Sequence, residues 1–279
     1  DLRNPNPIEL KNILSERKIT QVFHLAGQPI LEKANEEPFD TISLNVVGTN
    51  GILEACRLLR GKETNGPIEG IVIASSINAY DGSTPLPYRE DAHVIADHRE
   101  PYGVSIITMD LITQIYGKHF AMPVVTARLS NVFGPADFPP SGENRKRLVP
   151  VISLKILNDE QLELDDRAKV KKNFIYIDDA VDGMLKMAEK ATPLHLGAEI
   201  FNIGSAEPHT VREVVETLLE MSGSHKKITE IPNGYHSGAA GKDQYSNIFK
   251  AEQILGWRPA YLLREGLRET FEWYKRIVL

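Results

Sequence analysis

Short apolar runs rich in β-branched residues alternate along this chain with long stretches of helical periodicity. That alternation constrains the fold more than any other feature. "VFHL" (Val22–Leu25), "GIVIASS" (Gly70–Ser76) and "PVVTARLSNVFGP" (Pro123–Pro135) read as buried strands. Between them Ile42, Val46, Ile52, Leu53 and Leu59 recur at helical spacing from Asp40 to Arg60. Ile106, Ile107, Leu111, Ile112 and Ile115 form an apolar face from Tyr102 to Phe120. Strands separated by helices this long cannot pair as hairpins, so they build βαβ units and a mostly parallel sheet.

Ligands of such sheets bind at the carboxyl ends of the strands. Those ends fall at Ala26-Gly27-Gln28, at Ser75-Ser76 and at Ser130-Asn131. Further along, Ala136–Arg147 is polar and rich in Pro and Gly, the composition of a loop. Asn173–Lys190 reads as a strand, two aspartates at a helix start and an amphipathic helix, and Glu199–Ser205 as another strand. "TVREVVETLLEMSG" is a helix stopped by Gly223, and the tail is a helix, a Gly-Trp-Arg-Pro break and a closing helix. No glycine-rich turn accompanies the first strand; "DLRNPNPIEL" resembles the middle of a dinucleotide-binding domain. The expectation is that a leading βαβ unit of roughly 30 residues is missing.

Composition removes several function classes. With 42% hydrophobic and 25% charged residues in 279, the chain is an ordinary globular one with length for one large domain or two joined ones. A formal charge of −6 argues against nucleic acid as a partner. No run approaches the length of a membrane span, and no leader is read at the start, so the expectation is a cytoplasmic protein without a membrane partner. The single cysteine, Cys56, reads as a buried helix residue, and the eight histidines are scattered, so no metal site is expected.

Four features converge on chemistry: "HLAGQP" at His24–Pro29, Asn45 in "SLNVVGTN", the pair Ser75-Ser76, and Tyr102 opening a helix in "PYGVS". Together with "IVIASSINAYDGSTPLPYRED", "ARLSNVFGP", "RLVP", "NFIYIDDAVDGM" and "EIFNIGSAEPHTVREVV", they run in family order along nearly the whole chain. In them the chain resembles an extended short-chain dehydrogenase/reductase of the NAD-dependent epimerase/dehydratase family, which modifies nucleotide sugars. "ANEEPFDTISLNVVGTNGILEAC" is most similar to the CDP-glucose 4,6-dehydratase-like branch.

The resemblance implies a Rossmann-like, doubly wound α/β fold with a smaller C-terminal α/β lobe. Residues 1–135 plus 173–205 would form the cofactor domain, truncated at its start. Residues 136–172 plus 206–279 would form the substrate-binding lobe. NAD is the implied cofactor, with NADP not distinguished, and a nucleoside-diphosphate sugar the implied substrate. Tyr102 matches the family's proton-abstracting tyrosine and Ser76 the hydroxyl that bonds the reacting oxygen. Ala26, Gly27, Ala74 and Ser75 match the cofactor wall, Asn45 a structural asparagine of that site, and Ile106 the place of the cofactor-holding lysine. Gln28, Asn131, Leu148 and Val149 match the substrate channel, and Lys242 stands in for a phosphate-binding arginine. By analogy the chain would form a homodimer through Asp40–Arg60 and Tyr102–Phe120.

Two departures bear on activity. A tyrosine base at neutral pH needs its pKa lowered by about three units, roughly 4 kcal/mol, and Ile106 carries no charge to help. The dehydratase pattern places two proton carriers after the serine, where this chain has Ile77 and Asn78. Epimerisation or simple oxidoreduction at the sugar 4-position therefore fits better than 4,6-dehydration. A catalytically silent homologue that binds a nucleotide sugar or a protein partner is the other reading. Several residues also have plainer roles. Tyr176 contacts the nucleotide or belongs to its strand, and Arg145-Lys146-Arg147 grips phosphates or forms a solvated loop face. Asp178 and Asp179 read as helix caps, His24 as a core histidine, and Trp257 and Trp273 as anchors of the C-terminal lobe.

Overall fold

The computed structural model describes residues 1–61, 67–80, 82–92, 94, 100–137, 147–191, 198–232 and 241–278. Its first half runs α1 (Pro7–Glu16), β1 (Gln21–His24), α2 (Leu31–Glu36), α3 (Pro38–Ile42), α4 (Gly48–Arg60), β2 (Gly70–Ser76), α5 (Pro101–Lys118), β3 (Val124–Leu129) and β4 (Asn131–Phe133). The second half runs α6 (Leu148–Leu157), β5 (Leu162–Leu164), β6 (Lys171–Lys172), β7 (Phe174–Tyr176), α7 (Ile177–Ala191), β8 (Ile200–Ile203), β9 (His209–Thr210), α8 (Val211–Ser222), β10 (Ile228–Glu230) and α9 (Leu263–Val278).

Strand alternation explains the layering. β1, β2, β3 and β8 pair in that order, all parallel. Ile71, Ile73 and Val124 turn to one face and pack with Leu53, Cys56, Ile106, Met109 and Tyr116 of α4 and α5. Val72, Val125, Ala127, Phe201 and Ile203 turn to the other and pack with Met184 and Met187 of α7. Helices thus cover both faces of a parallel sheet, the doubly wound class expected from the sequence. A separate core joins Phe133, Val149, Ile152, Leu162, Phe174, Val214, Leu218, Leu267 and Phe271, bringing together α6, α8, α9 and the short strands.

Three local features refine or correct the sequence reading. The helix expected from Asp40 to Arg60 is continuous through α3 and α4, but its Ser43–Val47 segment between them is π-helical and carries Asn45. Trp257 is fully buried in the core under the sheet, with Phe201 and Met184, rather than in the C-terminal lobe, because the chain at 251–257 returns to α7. The opening residues form α1, capped by Asn6 and started by Pro7. They lie on α4, where a Cβ on Gly51 would come within 2.3 Å of Pro5.

The loop expected at Ala136–Arg147 is described only at its two ends, so Arg145 and Lys146 lie outside the described residues. Cys56 is buried, and burial pushes its thiol up to about 12. Among the described residues no helix is long and apolar enough to cross a membrane, and no three potential ligands gather as a metal site.

Candidate active site

A cavity of about 490 Å³ opens at the carboxyl ends of β1, β2 and β3 and extends to the start of α6. The register that pairs Ser76 with Leu129 brings the end of β2 level with the end of β3. Ser76 and Tyr102 line this cavity together. Pro101 is the first residue of α5, so Tyr102 sits in its first turn and is buried. Burial raises the phenol's pKa above its ordinary value; Ser76 and the charge of Arg147 act in the opposite direction without overcoming it.

Ala26, Gly27, Gln28, Ala74, Ser75 and Ile106 line the sheet side of the same cavity. Asn45 does not line it but holds its wall in place. Its Oδ1 accepts from Gln28 N at 2.7 Å, and its Nδ2 donates to the Gln28 carbonyl at 3.2 Å and to Ser105 Oγ at 2.9 Å. Ser105 Oγ donates in turn to the Tyr102 carbonyl at 2.7 Å. The π-turn thus clamps the turn after β1 to the first turn of α5. A Cβ on Gly27 would stand 3.2 Å from Asn45 Oδ1. The Gln28 amide is spent inside its own turn, bonding both Ile30 backbone groups and Thr41. A wall of such small residues at strand ends fits a flat dinucleotide ring. Ile106, 4% exposed and packed beside Met109, offers that ring no donor and no charge.

Asn131, Leu148 and Val149 line the opposite end. Asn131 Nδ2 donates to the Asn173 carbonyl at 2.8 Å, tying β4 to β7. Lys172 also lines this end, and sequence reasoning missed it. Burial is the main cause that lowers its pKa and Arg167 adds to it; no carboxylate forms an ion pair with it among the described residues. A half-buried amine on a cavity wall, with no ion-paired carboxylate among the described residues, is a natural seat for an anion. The signal was present in the alternation of "KKNF": Lys171 is exposed and Lys172 turns inward.

Arg147 reaches the cavity too, so part of the basic run does face it. Its guanidinium donates to the Val132 carbonyl at 2.8 Å and pairs with Asp137 at 2.7 Å. Lys242 is not among the lining residues; its Nζ stands beside Gly82.

Other readings separate cleanly. Tyr176 lies off the cavity, its ring 4.6 Å from that of Tyr261, and so belongs to its strand. Asp179 does not cap α7; it accepts from Ala260 N and Tyr261 N at 2.7 and 3.1 Å and pins the segment before α9. His24 is a core histidine with its pKa lowered by burial, its Nε2 3.0 Å from Thr49 Oγ1. Thr49 already donates to the Asn45 carbonyl, so the imidazole is the donor of that pair.

Comparison with known proteins agrees with this architecture. The family model described as GDP-mannose 4,6 dehydratase matches residues 1–270. Human dTDP-D-glucose 4,6-dehydratase is 26% identical over 270 residues, which cover 95% of this chain and 71% of that protein. UDP-glucuronate 4-epimerase of Thermodesulfobacterium geofontis is 27% identical over 269 residues, covering 95% and 76%. The structure of Thermus thermophilus UDP-glucose 4-epimerase in complex with NAD superposes with a TM-score of 0.80 at 25% identity, covering 100% of this chain and 84% of that one. With its model matched along nearly the whole length, the chain belongs to the GDP-mannose 4,6 dehydratase family.

Proposed function

We propose that this protein binds NAD and a nucleoside-diphosphate sugar in the cavity and acts at the sugar 4-position through Tyr102 and Ser76. The observation that carries the reading is a buried phenol and a serine hydroxyl lining one cavity, with the Lys172 amine, which has no ion-paired carboxylate among the described residues, lining it too. The small-residue wall from Ala26 to Gln28 and at Ala74-Ser75 would hold the cofactor; a solved epimerase of the same fold is a complex with NAD. Bound there, NAD supplies the hydride acceptor for oxidation of a carbinol carbon. Tyr102 takes the hydroxyl proton, and Ser76 orients the reacting oxygen. Lys172 and Arg147 offer positive charge to a diphosphate.

Ile77 and Asn78 line the cavity where elimination would need an acid and a base. Neither can carry a proton, so epimerisation or oxidoreduction fits the site better than loss of water. The division into a cofactor domain and a substrate lobe, a cytoplasmic location and a homodimer belong to the same proposal. Val104, Leu111 and Ile115 are exposed on α5, and Ile42 and Val47 are exposed just ahead of α4. These apolar faces support a dimer through the long helices, which sedimentation tests.

The second reading, a silent homologue, is favoured by one observation: nothing on the tyrosine's own helix face helps the phenol to ionise. Titration with NAD and assay of nucleotide-sugar turnover separates the two. Turnover lost in Tyr102→Phe supports the enzyme; saturable binding without turnover supports the silent homologue.

A further inference from the structure

The charges on the cavity wall restrict what the sugar can be. Among the described residues the charged lining groups are Glu32, Asp137, Arg147 and Lys172. Arg147 is ion-paired with Asp137 at 2.7 Å, which leaves Lys172 as the lining cation without an ion-paired carboxylate among the described residues. A nucleoside diphosphate joined to a sugar carries one negative charge on each phosphate, and these already claim that cation. The lining beside Ser76 and Tyr102, at Ala74, Ile77, Asn78, Ile106 and Met109, is uncharged. A carboxylate on the sugar would give up its water there and meet no cation in return.

One side chain in this neutral stretch has hydrogen-bonding capacity left over. Asn78 Nδ2 donates one hydrogen to Ser76 Oγ at 3.1 Å, and Asn78 Oδ1 accepts from Gln244 Nε2 at 2.9 Å. Gln244 is anchored through its backbone N–H, which donates to the Lys171 carbonyl at 2.8 Å. Turning the Asn78 amide over would set two NH₂ groups against each other. A primary amide has two N–H groups and two lone pairs. One of each therefore stays unspent, on a residue that lines the cavity. A donor beside an acceptor matches a hydroxyl, which is both. It does not match a carboxylate, which only accepts.

We propose that Asn78, its amide fixed by Gln244, is a specificity-determining residue that reads the 6-hydroxyl of a neutral hexose, so that the substrate class is a nucleoside-diphosphate hexose rather than a uronate. The inference rests on the function proposed above, which puts Ser76 at the 4-oxygen and Asn78 along the edge where elimination would run. The hydroxymethyl group lies on that edge, since its carbon is attached to C5, next to the reacting C4. Ile77 on the same edge is 2% exposed and packs with Tyr80 and Tyr88, so it adds no charge and no donor.

Calorimetry on the full chain tests this. UDP, dTDP, CDP and GDP are titrated first, and the tightest of them is then compared as its glucose, xylose and glucuronate conjugates. Xylose lacks the hydroxymethyl group, and glucuronate carries a carboxylate in its place. The glucose conjugate is expected to bind about threefold to tenfold more tightly than the xylose conjugate, the worth of one neutral hydrogen bond, and about tenfold or more above the glucuronate conjugate. Asn78→Ala should bring the glucose and xylose conjugates to within about twofold of each other and leave the affinity for the nucleoside diphosphate alone unchanged. Gln244→Ala, which frees the amide to rotate, should reduce the glucose preference part of the way. A merely structural role would weaken every ligand alike.

Equal affinities for the glucose and xylose conjugates, tighter binding of the glucuronate conjugate, or a glucose preference that survives Asn78→Ala would each overturn this inference and leave the proposed function standing. Binding of none of the four nucleotides would overturn both. If Asn78→Ala shows no cooperative thermal melt, Gln244→Ala decides: a reduced glucose preference supports the inference, and an unchanged one refutes it.

Discussion

Beneath the cavity lies an ion pair whose removal tests how the site is supported. Arg128 Nε donates to Asp110 Oδ2 at 2.8 Å, with side chains 3% and 2% exposed. The guanidinium also lies 4.5 Å from the centre of the Tyr80 ring, which stacks on Tyr88 at 4.6 Å. Replacing Asp110 with leucine leaves the guanidinium buried without its bonded carboxylate, a loss on the order of 3–5 kcal/mol. Glu90, which also feels the Arg128 charge, offsets part of this, so the expected loss is about 3 kcal/mol. For a chain of this size that corresponds to a fall of roughly 6–12 °C in Tm. The double variant Asp110→Leu/Arg128→Met removes both charges and should be close to the parent in stability. Denaturant unfolding of the four proteins gives the coupling energy. If Asp110→Leu costs less than about 1 kcal/mol, or the double variant costs the sum of the singles, the pair does not behave as a buried charge requiring its partner.

Three further outcomes are expected. Ile106→Lys places an ammonium one helical turn from both Tyr102 and Asp110, whose Oδ1 has no hydrogen-bond partner among the described residues, and should raise turnover, or create it, by about tenfold or more per pH unit gained at the phenol; unchanged kinetics in a folded variant would argue against the phenol as the limiting group. Lys172→Met should weaken nucleoside-diphosphate binding by about tenfold or more and flatten its salt dependence, measured by calorimetry, since it removes a half-buried cation from the cavity wall. His24 is held neutral by burial, so the native state binds fewer protons than the unfolded chain once the pH falls below about 6.5; its contribution to stability is present above that value and declines as the pH falls toward the lowered native pKa, by up to about 1.4 kcal/mol per pH unit. His24→Gln should flatten that part of the stability profile, and an identical slope in both proteins would show that another group titrates there.

Much of the scaffold was legible because it is encoded locally. The β-branched run Gly70–Ser76 became β2 at the same bounds, and Gly223 ends α8 in a left-handed turn. Tyr102 and Ser76 could be placed at a helix start and a strand end without any tertiary knowledge, and the fold brings both to one cavity. The π-helical segment at Asn45 was not legible, because it preserves apolar periodicity on either side while rotating one polar residue inward. Asp179 looked like a cap for the same local reason; its partners, Ala260 and Tyr261, lie far along the chain.

What the sequence determined by itself is the order of strands and helices, hence the parallel sheet and the edge where ligands collect, since periodicity and helix signals depend on near neighbours. Tertiary structure alone decided which side chains meet across the cavity. Lys172 goes unnoticed until β6 turns it toward the cavity, and Trp257 reads as a lobe anchor until the chain returns to the sheet. Asn78 reads as a vanished catalyst until Gln244, 166 residues further on, is seen to orient it. Those encounters depend on long-range closure of the chain, which brings residues together regardless of their spacing in sequence.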